Sequence, residues 1–156
     1  METQAVEIIE TEIPLEKVMS LNHSRLTVQI AAQLLAHADK YDILAELDLE
    51  LSTGRAKPDV AIIRKQTYNW REDIIHFPHP PITAIEILSP TQSFDYLASK
   101  IEKIYLAGGV QSAWLVVPFV KTIHLFLPDG SITTIATGAI HDPATGIELA
   151  LENIFN

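Results

Sequence analysis

The stretch Pro81 to Pro90, PITAIEILSP, constrains the fold more tightly than any other part of the chain. Between its bounding prolines lie Ile82, Thr83, Ala84, Ile85, Ile87 and Leu88. A short run of this kind forms a strand buried on both faces. One carboxylate, Glu86, interrupts it. An ionised carboxylate in such a setting costs several kcal/mol in effective terms unless a partner or a metal balances it. Any fold that buries this strand must therefore bring something to Glu86. The sequence offers a second carboxylate, Asp59, and a lysine, Lys100.

The segments around this strand read as a mixed sheet with few helices. Residues 23–38 carry Leu26, Ile30, Leu34 and Leu35, with Val28 and Ala31 beside them, at helical spacing, and Ser20 or Asn22 serves as a cap. Residues 41–51 alternate from Leu44 onward, with Leu47, Leu49 and Leu51 on one face and Glu46, Asp48 and Glu50 on the other. The turn STGRAK then leads to Pro58-Asp59 and the strand VAII, predicting a hairpin with Asp59 at the mouth of its second strand. Residues 65–81 have no period and hold several prolines, which predicts an extended loop. Its His76 and His79 have no evident third partner for a metal. After Pro90 a helix is expected over 93–107, stopped by Gly108-Gly109. Lys100 falls at the border of its apolar face, and Lys103 points toward solvent. SAWLVVP, KTIHLFL and SITTIA read as three further strands with a turn at Pro128-Asp129-Gly130, and GIELALENIF closes the chain on Ile154 and Phe155.

Composition limits the function classes. The chain has 156 residues and is 47% hydrophobic, which suits one globular domain, 20–156, behind an acidic segment, 1–19. With no run of about 18 apolar residues, no membrane span is expected, and the N-terminus lacks the basic start and apolar core of a signal peptide. There is no cysteine, hence no disulfide or thiolate chemistry. A cytoplasmic location is the expectation. The net charge of −9 opposes broad nucleic-acid binding, which rests on lysine and arginine. A nucleic-acid role would need local basic patches or a metal.

Asp59, Glu86 and Lys100 are the residues that carry chemistry in this pattern. Two carboxylates on adjacent strands, with a backbone carbonyl such as that of Ile87, suit a hard divalent cation. A lysine beside them orients a water and stabilises developing charge. Glu46 is a further candidate metal ligand, and His23, at the helix entrance, a candidate polar group beside the site. The same residues also read as a plain buried ion pair between Glu86 and Lys100. No nucleophile elbow and no phosphate-binding glycine loop is present.

KPDVAII, ITAIEILSPTQS, the helix ending YLAGGV, SAWLVVP and KTIHLFLPDG, in this order, resemble the Uma-two family of restriction-endonuclease-like proteins. That family, once filed as a domain of unknown function, lies in the PD-(D/E)XK nuclease superfamily. The resemblance covers about residues 20–156. It implies an α/β (α+β) fold, a restriction-endonuclease-like mixed sheet flanked by helices. It also implies a magnesium- or manganese-dependent endonuclease acting on DNA. Asp59 and Glu86 match the two acids. The superfamily lysine place, two residues after Glu86, holds Leu88. The family is similar in moving the lysine to the next helix, four residues before the tyrosine matched by Tyr105. Here that position is Ile101, and Lys100 lies five before Tyr105. Tyr105 is expected to line the site. Long family members also carry Y-E-L and G-E-L strings that this chain lacks, so Glu46 or Glu16 would have to substitute for a ligand supplied there. The alternative reading is a nuclease-fold module, weak or inactive in catalysis, that binds or assembles. A homodimer is expected under either.

Overall fold

The structure, a computed structural model, describes residues 19–156. Nearly all of the acidic N-terminal segment, Glu16 included, lies outside the described residues. The chain runs through α1 (Leu21–Leu34), β1 (Tyr41–Ala45), β2 (Leu49–Leu51), β3 (Gly54–Ala56), β4 (Val60–Arg64), β5 (Thr83–Ile87), α2 (Phe94–Lys100), a π-helical segment (Ile101–Leu106), β6 (Ser112–Val117), β7 (Thr122–Phe126), β8 (Ile132–Ile135), β9 (Ala139–His141), β10 (Glu148–Ala150) and α3 (Leu151–Ile154). Among the described residues, no helix is long and apolar enough to cross a membrane.

Six strands form one mixed sheet in the order β1-β4-β5-β6-β7-β8. β5 and β6 pair in parallel at its centre, and every other pairing in it is antiparallel. Parallel pairing requires a crossover, which α2 and the π segment provide. β5 is buried along its whole length, as its composition requires. Its side chains alternate between two cores. Ile85 and Ile87 face a layer containing Leu26, Ile30 and Leu34 of α1, together with Ile154. Ala84 faces a layer built on Leu97, Ile101 and Tyr105. Glu86 shares the second face by the period of two.

Several local expectations are corrected. α1 begins on the Ser20 cap, whose hydroxyl accepts from the His23 N–H at 3.2 Å, and ends at Leu34. Val28 and Leu35 are exposed. The continuous strand expected over 41–51 is broken at Glu46, which takes a left-handed backbone with φ of 53°. β1 pairs with β4 as the expected hairpin partners, but β2 and β3 form their own small hairpin between them. β9, with three residues, is too short to show a period in the sequence. The helix over 93–107 is α-helical only to Lys100.

The β9–β10 turn is tied to the central strands by a buried carboxylate. Asp142 accepts from Thr83 Oγ1 at 2.7 Å, Ser112 Oγ at 2.5 Å and Thr145 Oγ1 at 2.8 Å. It is 1% exposed. With no cation beside it among the described residues, hydroxyl dipoles carry its charge. Asp142→Ala leaves the three hydroxyls short of an acceptor. Urea unfolding should show a loss of about 2 kcal/mol, against a negligible change for Asp129→Asn in the exposed β7–β8 turn.

Candidate functional site

Asp59 and Glu86 meet at the ends of β4 and β5. Asp59 immediately precedes β4, and its carboxylate is held through both oxygens. Oδ2 accepts the backbone N–H of Ile87 at 2.7 Å, and Oδ1 lies 3.1 Å from His23 Nε2. His23 arrives from the first turn of α1, so the helix cap and the carboxylate are linked by one side chain. Its Nδ1 is buried without a partner. Burial works to lower the His23 pKa, but the hydrogen bond to Asp59 and the charges of Asp59, Glu86 and Glu46 outweigh it, and the imidazole stands above its ordinary value.

The Ile87 backbone is free to serve this site because of Pro58. The Leu88 N–H bonds the Val116 carbonyl of β6. Successive residues of a strand direct their backbone groups to opposite neighbours, so the Ile87 groups point toward β4. Continuing the β4–β5 register past Val60 and Ile85 sets Pro58 opposite Ile87. Proline has no N–H to offer the Ile87 carbonyl.

Glu86 is 4% exposed. Its Oε1 accepts the Tyr105 hydroxyl at 2.5 Å and lies 3.0 Å from Lys100 Nζ. The lysine amine also sits 5.8 Å from the Tyr105 ring centroid. Burial pushes the Glu86 carboxyl up, and the Asp59 charge adds to this. Lys100 and the Tyr105 hydrogen bond pull it back, leaving it at about 7. The Tyr105 hydroxyl is driven well above its ordinary value, first by burial and then by Glu86.

The π segment explains how Lys100 and Tyr105, five residues apart, reach one oxygen. In an α-helix that spacing would put them about 140° apart. Here the turns close over five residues, as in the Ala107 N–H to Glu102 carbonyl bond at 3.2 Å, and residues five apart stack on one face. The spacing of Leu97, Ile101 and Tyr105 carried a trace of this. Steps of four drift by about 40° each in an α-helix, yet all three are fully buried. Gly108 lets the β2–β3 hairpin close on this segment. A Cβ there would stand 2.4 Å from the Ile104 carbonyl oxygen and 2.7 Å from Thr53 Oγ1, and Thr53 donates to that carbonyl at 2.6 Å.

Over these residues opens a cleft of about 890 Å³, lined among others by His23, Glu46, Asp59, Glu86 and Lys100. Glu46 is exposed on its wall, and its N–H bonds the Asp59 carbonyl at 3.2 Å. No three His, Asp or Glu side chains among the described residues converge as a ready-made metal cage. The donor set nevertheless suits a hard cation. It offers the two carboxylates and the outward Ile87 carbonyl, all oxygen. The sequence indicated neither the His23–Asp59 contact nor the Ile87 N–H bond, because both join elements far apart in the chain. Lys103 is exposed, as its position on the helix implies, and lies on the cleft rim.

The sequence matches the profile of the Uma2 family, described as "Putative restriction endonuclease", over residues 1–152. The chain belongs to the Uma2 family. No curated protein matches it. Among solved structures it resembles a crystal structure from Anabaena variabilis ATCC 29413, described as a putative nuclease belonging to DUF820. The TM-score is 0.74 at 20% identity, covering 88% of this chain and 82% of that one. At that identity the likeness establishes the restriction-endonuclease-like fold of this Uma2 chain.

Two outcomes test the electrostatics. A carboxyl raised above its unfolded value contributes stability that is complete below the unfolded pKa and is lost as pH rises through the folded one. For Glu86 that window runs from 4.5 to about 7. Melting of the metal-free protein should therefore weaken across this window. Glu86→Gln should flatten the slope, and Lys100→Met, which removes the counter-charge, should carry the loss of stability to higher pH. A Lys100→Met profile parallel to wild type would refute the pairing. Deleting the exposed Glu102 should restore the four-residue spacing and turn the π segment into α-helix. The variant should melt within a few degrees of wild type, whereas an unfolded variant would show the five-residue turn to be indispensable.

Proposed function

We propose that this Uma2 protein is a magnesium- or manganese-dependent endonuclease that hydrolyses DNA phosphodiester bonds. The observation that carries the reading is the convergence of Asp59, Glu86 and the Lys100 amine, from three separate elements, on the floor of one cleft. Asp59 and Glu86 would hold the ion, with the Ile87 carbonyl beside them. Bound there, a divalent cation supplies Lewis acidity and lowers the pKa of a water. The chain's own residues supply the rest. His23 and the Ile87 N–H orient Asp59. Tyr105 orients Glu86 by its hydroxyl. Lys100, on the floor of the cleft, positions the attacking water and stabilises charge gathering on the phosphoryl oxygens. Glu46 is within the same cleft to contribute an outer ligand.

One observation favours a second reading, a nuclease-fold module that binds or assembles without efficient catalysis. Glu86 is already balanced by Lys100 and Tyr105, so the carboxylate has no electrostatic need of a metal. A homodimer suits both readings, and β8, the exposed edge of the sheet, is its proposed surface.

Calorimetric titration of manganese and magnesium into wild type and Asp59→Asn, with plasmid cleavage assayed in parallel, separates the two. The nuclease reading expects binding in the wild type, its loss in Asp59→Asn, and metal-dependent cleavage abolished by Lys100→Met. Absence of any metal effect at millimolar concentration leaves the module.

A further inference from the structure

The protein carries a net charge of −9, yet its proposed substrate is a polyanion. The charges are unevenly placed. Of the chain's 11 lysines and arginines, Arg55, Lys57, Lys100 and Lys103 line the one cleft that holds Asp59 and Glu86. Lys100 belongs to the floor. The other three come from two touching elements. Arg55 and Lys57 lie on and just after β3, Lys103 lies in the π segment, and Thr53 Oγ1 donates to the Ile104 carbonyl between them. They therefore form one wall. Arg55 is engaged, 2.8 Å from Asp48 and 3.1 Å from His76. The Lys57 and Lys103 side chains are exposed and make no hydrogen bond or ion pair among the described residues.

We infer that Lys57 and Lys103 are a phosphate clamp that seats the DNA backbone on either side of the phosphate presented to Asp59 and Glu86. Lys57 lies two residues before Asp59, and both line the cleft. Lys103 lies three residues after Lys100, less than one π turn along the crossover. Each cation thus stands next to a residue of the floor, where the phosphates adjoining the scissile one would pass. Amines on long stems, unpaired and at a rim, make backbone contacts that set position and register without reading sequence. The cleft's own acids, Glu46, Asp48, Asp59 and Glu86, are partly offset by Arg55 on Asp48 and Lys100 on Glu86, and Debye screening confines the acidic surface outside the cleft to within about 10 Å at 0.1 M salt.

This inference rests on the nuclease reading, and its test separates the two. Fluorescence anisotropy of a labelled 20-base-pair DNA duplex would be followed from 25 to 200 mM KCl, in EDTA, for wild type, Lys57→Gln, Lys103→Gln, the double variant and Lys121→Gln. Manganese titrations would accompany each. Each clamp variant should lower the magnitude of the slope of log affinity on log salt by about 0.9, and the double variant should bind about tenfold more weakly at low salt. Lys121→Gln, outside the cleft, should match wild type, and manganese affinity should be unchanged throughout. A wild type that cleaves DNA while the double variant keeps its affinity and salt slope overturns the clamp and leaves the nuclease standing. A wild type that binds neither duplex nor manganese overturns both.

Discussion

A single carboxylate in the central strand sets the terms for the rest of this structure. Glu86 sits in β5, one strand of the parallel pair at the middle of the sheet, with Ala84, Ala113 and Leu115 on the same face. Left alone, its charge would be prohibitive. The crossover from β5 to β6 is therefore more than a connection. It delivers Lys100 and Tyr105 to one oxygen of Glu86 and covers that face of the sheet with Leu97 and Ile101. Packing and charge compensation come from the same helix, so neither can move without the other.

The second carboxylate is held in a different manner. Asp59 has no lysine. It has a backbone N–H from the neighbouring strand and an imidazole from α1 on the far side of the sheet. One acid is thus tuned by a cation and a phenol, the other by a peptide dipole and a histidine. Two carboxylates in unlike surroundings, with the charge of one (Asp59) raising the proton affinity of the other (Glu86), are a recurring property of sites that do chemistry. Purely structural ion pairs also shift pKa values. What distinguishes this pair is the cleft above it and the proline that leaves the Ile87 carbonyl without a ladder donor.

The π segment connects the family pattern to this chain. A one-residue shift of Lys100 along an α-helix would turn its amine away from Glu86. A turn closed by five-residue bonds keeps it on Glu86, before Gly108 and Gly109 end the crossover and β6 resumes the parallel register. Bulges of this type concentrate at functional positions because they preserve a geometry that the surrounding sheet dictates.

Much of this was legible in the chain itself. Alternation and buried runs located β4 to β8, and the Ser20 cap and apolar spacing located α1. The anomaly of a charge within ITAIEIL marked Glu86, and Pro58 marked Asp59 at a strand mouth. These signals are local, written in neighbouring residues with periods of two or about four. What tertiary structure alone decided is nonlocal. The break at Glu46, the pairing of His23 with Asp59, the hydroxyl cage around Asp142 and the basic wall of Lys57 and Lys103 each join segments distant in sequence. The π turn is the instructive intermediate. Its residues are contiguous, but its five-residue bonds serve contacts outside the helix, bringing Lys100 and Tyr105 to one oxygen of Glu86 in a distant strand.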